Sequence, residues 1–285
     1  MKFQLHPSSM EQLAKCGIAF ERRSINGERT PPSARMVIGT AVDRAVRRNL
    51  QHKIDTGDLA PVEEVRDEAR DALVNEWASG VKLDAEDQED GINEGRALDM
   101  AVNLSSFHHS AAAPNIQPTH VARKWVLDVD GLDIQIAGEI DIQEGSRAIR
   151  DTKTSGKSPV KTLADESLQL STYALAVRQI DGAVPAKVVL DYLVQTPKRG
   201  DMKLVQLESV RREEHLQPVL ERIAMFDRII RSGIFTPAPI GSWWCSAKFC
   251  AFHETCRYAA KPVTVAMPSL ERQLADSIFQ KGGSL

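Results

Sequence analysis

No stretch of this 285-residue sequence approaches the roughly 20 consecutive apolar residues of a membrane-spanning helix. The longest candidates, residues 183–190 and 216–230, are interrupted by Lys, Arg, Asp or Pro. The amino terminus, Met1-Lys2-Phe3-Gln4-Leu5-His6-Pro7-Ser8, lacks the apolar run and small-residue cleavage site of a secretory signal, so an intracellular, cytoplasmic location is expected. Cysteines are few. Four in a chain of this size, without an export signal, point to free thiols or metal ligation and away from a disulfide framework. There is little net charge: at −3 the chain offers no global attraction to nucleic acid, and a polyanion would need a local basic surface or metal ions to hold it. Repeats with a period of roughly twenty to fifty residues are absent, which excludes solenoids and propellers. What remains is 42% hydrophobic and 26% charged residues, the balance of a packed globular protein and not of a disordered, collagenous or coiled-coil chain. The length suits one elaborated domain with a substantial core.

The first third reads as helical. Ser33 is placed to cap a segment carrying Ile38, Ala41, Val42, Ala45 and Val46. Pro61 opens a second with Val62, Val65, Ala69, Leu73 and Trp77, and a third spans 92–109 before the Ala-Ala-Ala-Pro stretch ending at Pro114. Between Asp84 and Glu94 lie six acidic residues without Lys or Arg, expected as a solvated loop. From Thr119 the apolar period falls toward two. Val121, Arg123, Trp125 and Leu127, a turn at Asp130-Gly131, and Leu132, Ile134, Ile136 and Ile140 predict a β-hairpin. A third strand over 146–154, a helix over 161–180, strands over 186–195 and 202–210 joined through Pro197-Lys198-Arg199-Gly200, and a helix over 211–231 ended by Pro237-Ala238-Pro239 complete an α/β order with a mixed sheet.

The chemistry concentrates in this second half. In Gly138-Glu139-Ile140-Asp141 the strand period puts Glu139 and Asp141 on one face, a polar insertion in an apolar strand. Ten residues beyond Asp141 comes Asp151-Thr152-Lys153. Adjacent strands ending in carboxylates form a site for a hard divalent cation, and the nearby lysine ammonium can orient and help deprotonate a water beside it. Gln169 and Tyr173 follow as an i,i+4 pair on one helical face, able to reach phosphate or base edges or, alternatively, to pack in the core.

Taken together, Gly138-x-x-Asp141, Asp151-x-Lys153 and Gln169-x-x-x-Tyr173, in this order on strand, strand and helix, resemble the RecB branch of the PD-(D/E)XK nucleases. At the amino end Ser8, Ser9, Leu13, Cys16 and Phe20 resemble the opening of the family's iron–sulfur members, with Gly17 where proline is common. The resemblance runs from Ser8 to Cys256. It implies a restriction-endonuclease-like core, a mixed sheet flanked by helices, within a single domain over 1–260: a helical part over 33–110, a nuclease core over 119–232, and a clamp of Cys16 with 243–257. A peripheral tail over 261–285 follows. Asp141, Asp151 and Lys153 are implied as catalytic, Asp43, Asp141 and Asp151 as ligands of Mg²⁺ or Mn²⁺, and Gln169 and Tyr173 as substrate contacts. Cys16, Cys245, Cys250 and Cys256 are implied as ligands of one [4Fe–4S] cluster joining the two ends, although four residues separate Cys245 from Cys250 where the family has two. Structural Zn²⁺ is the alternative, and Trp243, Trp244 and Phe249 are expected to shield the cluster.

Gly39-Thr40-Ala41-Val42-Asp43 resembles the family's Gly-x-x-x-His element with aspartate in place of the metal-binding histidine, a harder ligand that favours Mg²⁺. Arg44, Arg47, Arg48, Arg147, Arg150, Lys157 and Lys161 are candidates for phosphate contact, against the expectation that about half are solvated or paired. The implied reaction is metal-dependent hydrolysis of DNA, exonucleolytic on single-stranded or free ends, as in bacterial or phage-encoded relatives. Recombination, repair or CRISPR-adaptation proteins, or further copies of the chain, are the implied partners. A catalytically silent or redox-responsive iron–sulfur DNA-binding protein is the alternative.

Overall fold

The structure, a computed structural model, describes residues 2–196 and 200–259. The expected Pro197-Lys198-Arg199 connection and the tail over 261–285 lie outside the described residues. The chain divides into two compact units after Ala238.

The first unit is built on a mixed six-stranded sheet. β1 (Phe3–Leu5) runs parallel to β3 (Ile134–Glu144), and β2 (His120–Asp128) forms the expected hairpin with β3. β3 pairs antiparallel with β4 (Ala148–Ser155), β4 parallel with β5 (Lys187–Gln195), and β5 antiparallel with β6 (Met202–Ser209). The sheet order is β1-β3-β4-β5-β6, with β2 on the other side of β3. β1 escapes the sequence pattern because three residues are too few to display a period.

Nine α-helices surround the sheet among the described residues: α1 (Pro7–Lys15), α2 (Gly17–Phe20), α3 (Ala34–Thr56), α4 (Val62–Ala78), α5 (Ala85–Glu89), α6 (Glu94–Ala111), α7 (Leu163–Glu166), α8 (Leu168–Asp181) and α9 (Glu213–Ser232). Ser33 caps α3 as expected, its Oγ accepting the Met36 N–H at 3.3 Å. The single helix expected over 161–180 is two, because Ser167 breaks it and caps α8 through the Leu170 N–H. α9 ends at Ser232 against Gly233, ahead of Pro237. The acidic run is no solvated loop: Asp84 and Asp87 cap α5 reciprocally, and Arg35 pairs with buried Asp87 and with Asp90. That arginine lies too far back in the sequence for a local charge count to include it. Among the described residues no helix is long and apolar enough to cross a membrane.

Two hydrophobic clusters sandwich the sheet. One joins α1, α8 and α9 to Ile136, Ile140, Val188 and Leu190; the other joins α3, α4 and α6 to Ile142 and Leu193. In β5 the division follows the alternation of a strand. In β3 it does not, since Ile140 and Ile142 share a parity yet belong to opposite clusters. β2 switches at the same place: Trp125 packs in the first cluster and Val121 against the second. Between them Ala122 adopts a left-handed φ of 52°, which costs a non-glycine residue roughly 1–2 kcal/mol. The alternation therefore breaks at Asp141, opposite Ala122.

Within the second cluster's layer, His108 of α6 is fully buried and neither ring nitrogen has a hydrogen-bond partner among the described residues. Burial, assisted by His109 and Arg150, pulls its pKa down to about 4 from 6.5. Below pH 6.5 the unfolded chain takes up a proton that the folded chain refuses. Stability is thus lost as pH falls from 6.5 toward about 4, by roughly 1.4 kcal/mol per pH unit. His108→Leu should remove this loss. Urea midpoints of the two proteins should diverge between pH 7 and pH 5, in favour of the variant; a pH-independent difference would refute the assignment.

Candidate active site

The ladder between β3 and β4 ends at the pair Ile142↔Arg150. The next residues, Asp141 and Asp151, face one another where the strands part, and the Thr152 N–H approaches Asp141 Oδ2 at 3.4 Å. Carboxylates of two strands thus share a gap in the sheet. Gly138, first residue of the Gly-x-x-Asp element, lies opposite Trp125, and a Cβ there would fall 2.7 Å from the indole. Only glycine lets the tryptophan lie across β3.

From one layer, α3 delivers Asp43. Gly39, one turn earlier, packs so closely on β4 that a Cβ would sit 3.3 Å from Thr154 Oγ1, which lets the helix descend to the strand ends. The Arg47 guanidinium stands among three carboxylates: Nε is 2.7 Å from Asp43 Oδ2, Nη2 is 3.3 Å from Asp141 Oδ1, and Nη1 bonds Glu139. From the other layer, α8 delivers Gln169, whose amide donates to Asp151 Oδ1 at 3.1 Å and approaches Tyr173 Oη at 2.7 Å. Tyr173 is buried edge-on against Trp125. Lys153 Nζ lies 2.7 Å from Asp151 Oδ2.

Electrostatics of the cluster are strained. Four carboxylates (Asp43, Glu139, Asp141, Asp151) meet two cations (Arg47, Lys153), so that with all four ionised two negative charges would be unbalanced. Burial, with Asp151 and Asp43 adding repulsion, pushes the Asp141 carboxyl up to about 8. Burial likewise raises Asp151 and Asp43, against the pull of Lys153 and Arg47 respectively. Burial pulls Lys153 down, but Asp151 and Asp141 outweigh it and the ammonium stays charged. Burial raises the Tyr173 phenol, which therefore stays neutral.

An all-oxygen donor set with two more carboxylates than cations fits a hard divalent cation. Among the described residues no three His, Cys, Asp or Glu side chains already stand as a metal-holding group; Arg47 is wedged among three of the carboxylates. Glu139 shares a strand face with Asp141 as expected, whereas Arg47, expected as a phosphate contact, stands among the carboxylates; its i,i+4 spacing from Asp43 was the signal. Most other phosphate-contact candidates are paired: Arg44 with Glu76, Arg48 with Glu64 and Lys157 with Glu86. Arg150 is no phosphate ligand, being buried between Glu144 and Asp191.

Cys16 lies in the first unit, half-buried between α1 and α2. Among its described residues the second unit is a chain of turns with one 3₁₀ turn, His253–Thr255, and carries Cys245, Cys250 and Cys256, each half-buried. There Trp243 packs on Phe249, with ring centroids 4.7 Å apart, and on Trp244. Trp243 and Phe249 both remain largely exposed.

The family model of the PD-(D/E)XK nuclease superfamily matches residues 4–257. Among solved structures, a chain described as "Putative exonuclease" from Eubacterium rectale is similar over 92% of this chain and 91% of its own, with a TM-score of 0.53 and 15% identity, a likeness of fold. The structure of SSO0001 is similar over 92% of this chain and 89% of its own, at 14% identity and a TM-score of 0.40, too low to carry weight. No curated protein matches the chain. The model covers nearly the whole chain, including the strand-end carboxylates, Lys153 and the helix that follows them, and the chain belongs to the PD-(D/E)XK nuclease superfamily.

Proposed function

We infer that the chain is a metal-dependent DNA nuclease of the RecB branch that removes nucleotides from single-stranded or free DNA ends. One observation carries this reading: Asp141 and Asp151 meet in the gap between β3 and β4 with the Lys153 ammonium 2.7 Å from Asp151. Asp141, Asp151 and Asp43 would hold Mg²⁺ or Mn²⁺, which when bound supplies Lewis-acid stabilisation of a phosphodiester oxygen. Lys153, kept protonated by its carboxylate neighbours, suits orientation of the attacking water and stabilisation of the phosphorane charge rather than removal of the water's proton. Water adds to phosphorus and gives up a proton to solvent, the P–O bond to the leaving sugar breaks, and the leaving oxygen takes a proton from solvent and departs as the alcohol. Gln169 orients Asp151, and buried Tyr173 backs Gln169, from where Gln169 is also proposed to contact substrate.

End-labelled single- and double-stranded DNA, incubated with the purified protein and Mg²⁺ or Mn²⁺, tests the reading. Mononucleotides or short products accumulating from an end are expected. Tight DNA binding without cleavage in either metal would instead support the silent DNA-binding alternative.

The reading extends to the four thiols. Cys16, Cys245, Cys250 and Cys256 are the proposed ligands of one [4Fe–4S] cluster clamping the two ends of the chain, a soft donor set suited to iron–sulfur and satisfied without leftover thiol. Anaerobically purified protein should be brown with about four iron atoms per chain, and any single Cys→Ala change should lower iron and solubility together. Stoichiometric zinc with negligible iron would overturn this part and leave the carboxylate site untouched.

A further inference from the structure

We propose that Arg47 is a built-in counter-cation of the carboxylate site, occupying the metal-free cluster and yielding Asp141 and Asp43 when a divalent cation binds. The proposal rests on the metal-site reading above and adds a competitor to it. Three features point the same way. The guanidinium engages Asp43 at 2.7 Å, Asp141 at 3.3 Å and Glu139, so it touches two of the three carboxylates proposed as metal ligands. Its three nitrogens go to three different carboxylates, with no bidentate fork to fix it to any one of them. Arg47 is partly buried, with 28% of its side chain accessible, level with Asp43 at 27% and Glu139 at 29% at the rim, whereas Asp141 is deeper at 15%. The guanidinium can therefore shift toward the rim, where Glu139 holds it, while Asp141 stays in the strand gap.

The charge balance gives the exchange a direction. With Arg47 in place the cluster still has two more carboxylates than cations. A divalent cation offsets that excess, and the contact of Arg47 to Asp141, the longest of its three, is the one most readily given up. Glu139, which is not a proposed metal ligand, remains to hold the guanidinium at the rim of the site. Arg47 is then a positioning residue for metal entry, setting how much cation the chain requires.

The test is calorimetric titration of Mn²⁺ into the full chain, wild type and Arg47→Met, Arg47→Lys and Asp151→Asn, with the melting temperature of each followed with and without Mn²⁺. Arg47→Met, which keeps the length and loses the charge, should bind Mn²⁺ at least tenfold more tightly than wild type. It should melt lower than wild type without metal and gain more on its addition. Arg47→Lys, which cannot reach three carboxylates at once, should fall between. Equal or weaker binding by Arg47→Met, with wild type binding normally, would overturn the counter-cation and spare the metal site. No binding by wild type, Arg47→Met or Arg47→Lys would overturn both. If Arg47→Met does not fold without metal, Arg47→Lys carries the comparison, and an affinity no higher than wild type refutes the proposal.

Discussion

Asp141→Asn should make the metal-free protein more stable and abolish cleavage at the same time. The carboxylate is largely buried, faces Asp151 and Asp43, and is pushed up to about 8, so holding it ionised at neutral pH is unfavourable. The amide is the same size and can still accept the Thr152 N–H, while the repulsion disappears. Losing the long contact to Arg47 offsets only part of the gain, since Arg47 keeps Asp43 and Glu139. A gain of about 1–2 kcal/mol is expected, which for a chain of this size raises the melting temperature by roughly 2–4 °C per kcal/mol. Cleavage should fall by about 10³-fold or more, because a neutral ligand neither holds the cation nor fixes it against phosphorus. Melting curves in chelator and cleavage assays on the same preparation check both signs. A variant less stable than wild type, or one that cleaves normally, would show that Asp141 is a structural carboxylate.

The second large effect lies one residue from the site and on the far side of the strand. Arg150→Met should cost about 3–5 kcal/mol of stability, a large share of the roughly 5–15 kcal/mol that holds a typical domain. The Arg150 guanidinium bridges Glu144 at 2.5 Å and Asp191 at 3.0 Å in a fully buried setting, and Gln206 and the Gln117 N–H complete the two carboxylates. Removing the arginine leaves two buried anions facing each other. Adding Glu144→Gln and Asp191→Asn to Arg150→Met should therefore recover part of the loss. Urea denaturation measures all three proteins, and an Arg150→Met midpoint within error of wild type would place the network among the dispensable ones.

Much of this was legible in the sequence. The hairpin, the order of the strands and the Asp-x-Lys strand follow from alternation that local residues carry by themselves. Gly39 and Gly138 were readable as motif positions, but their reasons, Thr154 under a helix and Trp125 across a strand, are contacts between distant segments. The break in alternation at Asp141 was not readable, because it arises from the parting of β3 and β4 and the left-handed Ala122 on β2. The same holds for Arg47. Its spacing from Asp43 was visible, yet its contacts to Glu139 and Asp141 join α3 to a strand some ninety residues on. Arg150 shows the converse error: a basic residue beside the catalytic motif reads as a phosphate ligand, and strand parity alone, applied to its position next to Asp151, would have turned it inward.

The most direct measurement of the central claim is the rate of nucleotide release from end-labelled DNA by wild type and Asp151→Asn, with Mg²⁺, with Mn²⁺ and with chelator. Asp151 is nearly inaccessible and holds both Gln169 and Lys153, so its loss disarms the site without touching exposed surface. The account predicts release by wild type in metal, none in chelator, and none by a folded Asp151→Asn protein under any condition. Release at the wild-type rate by Asp151→Asn would contradict it.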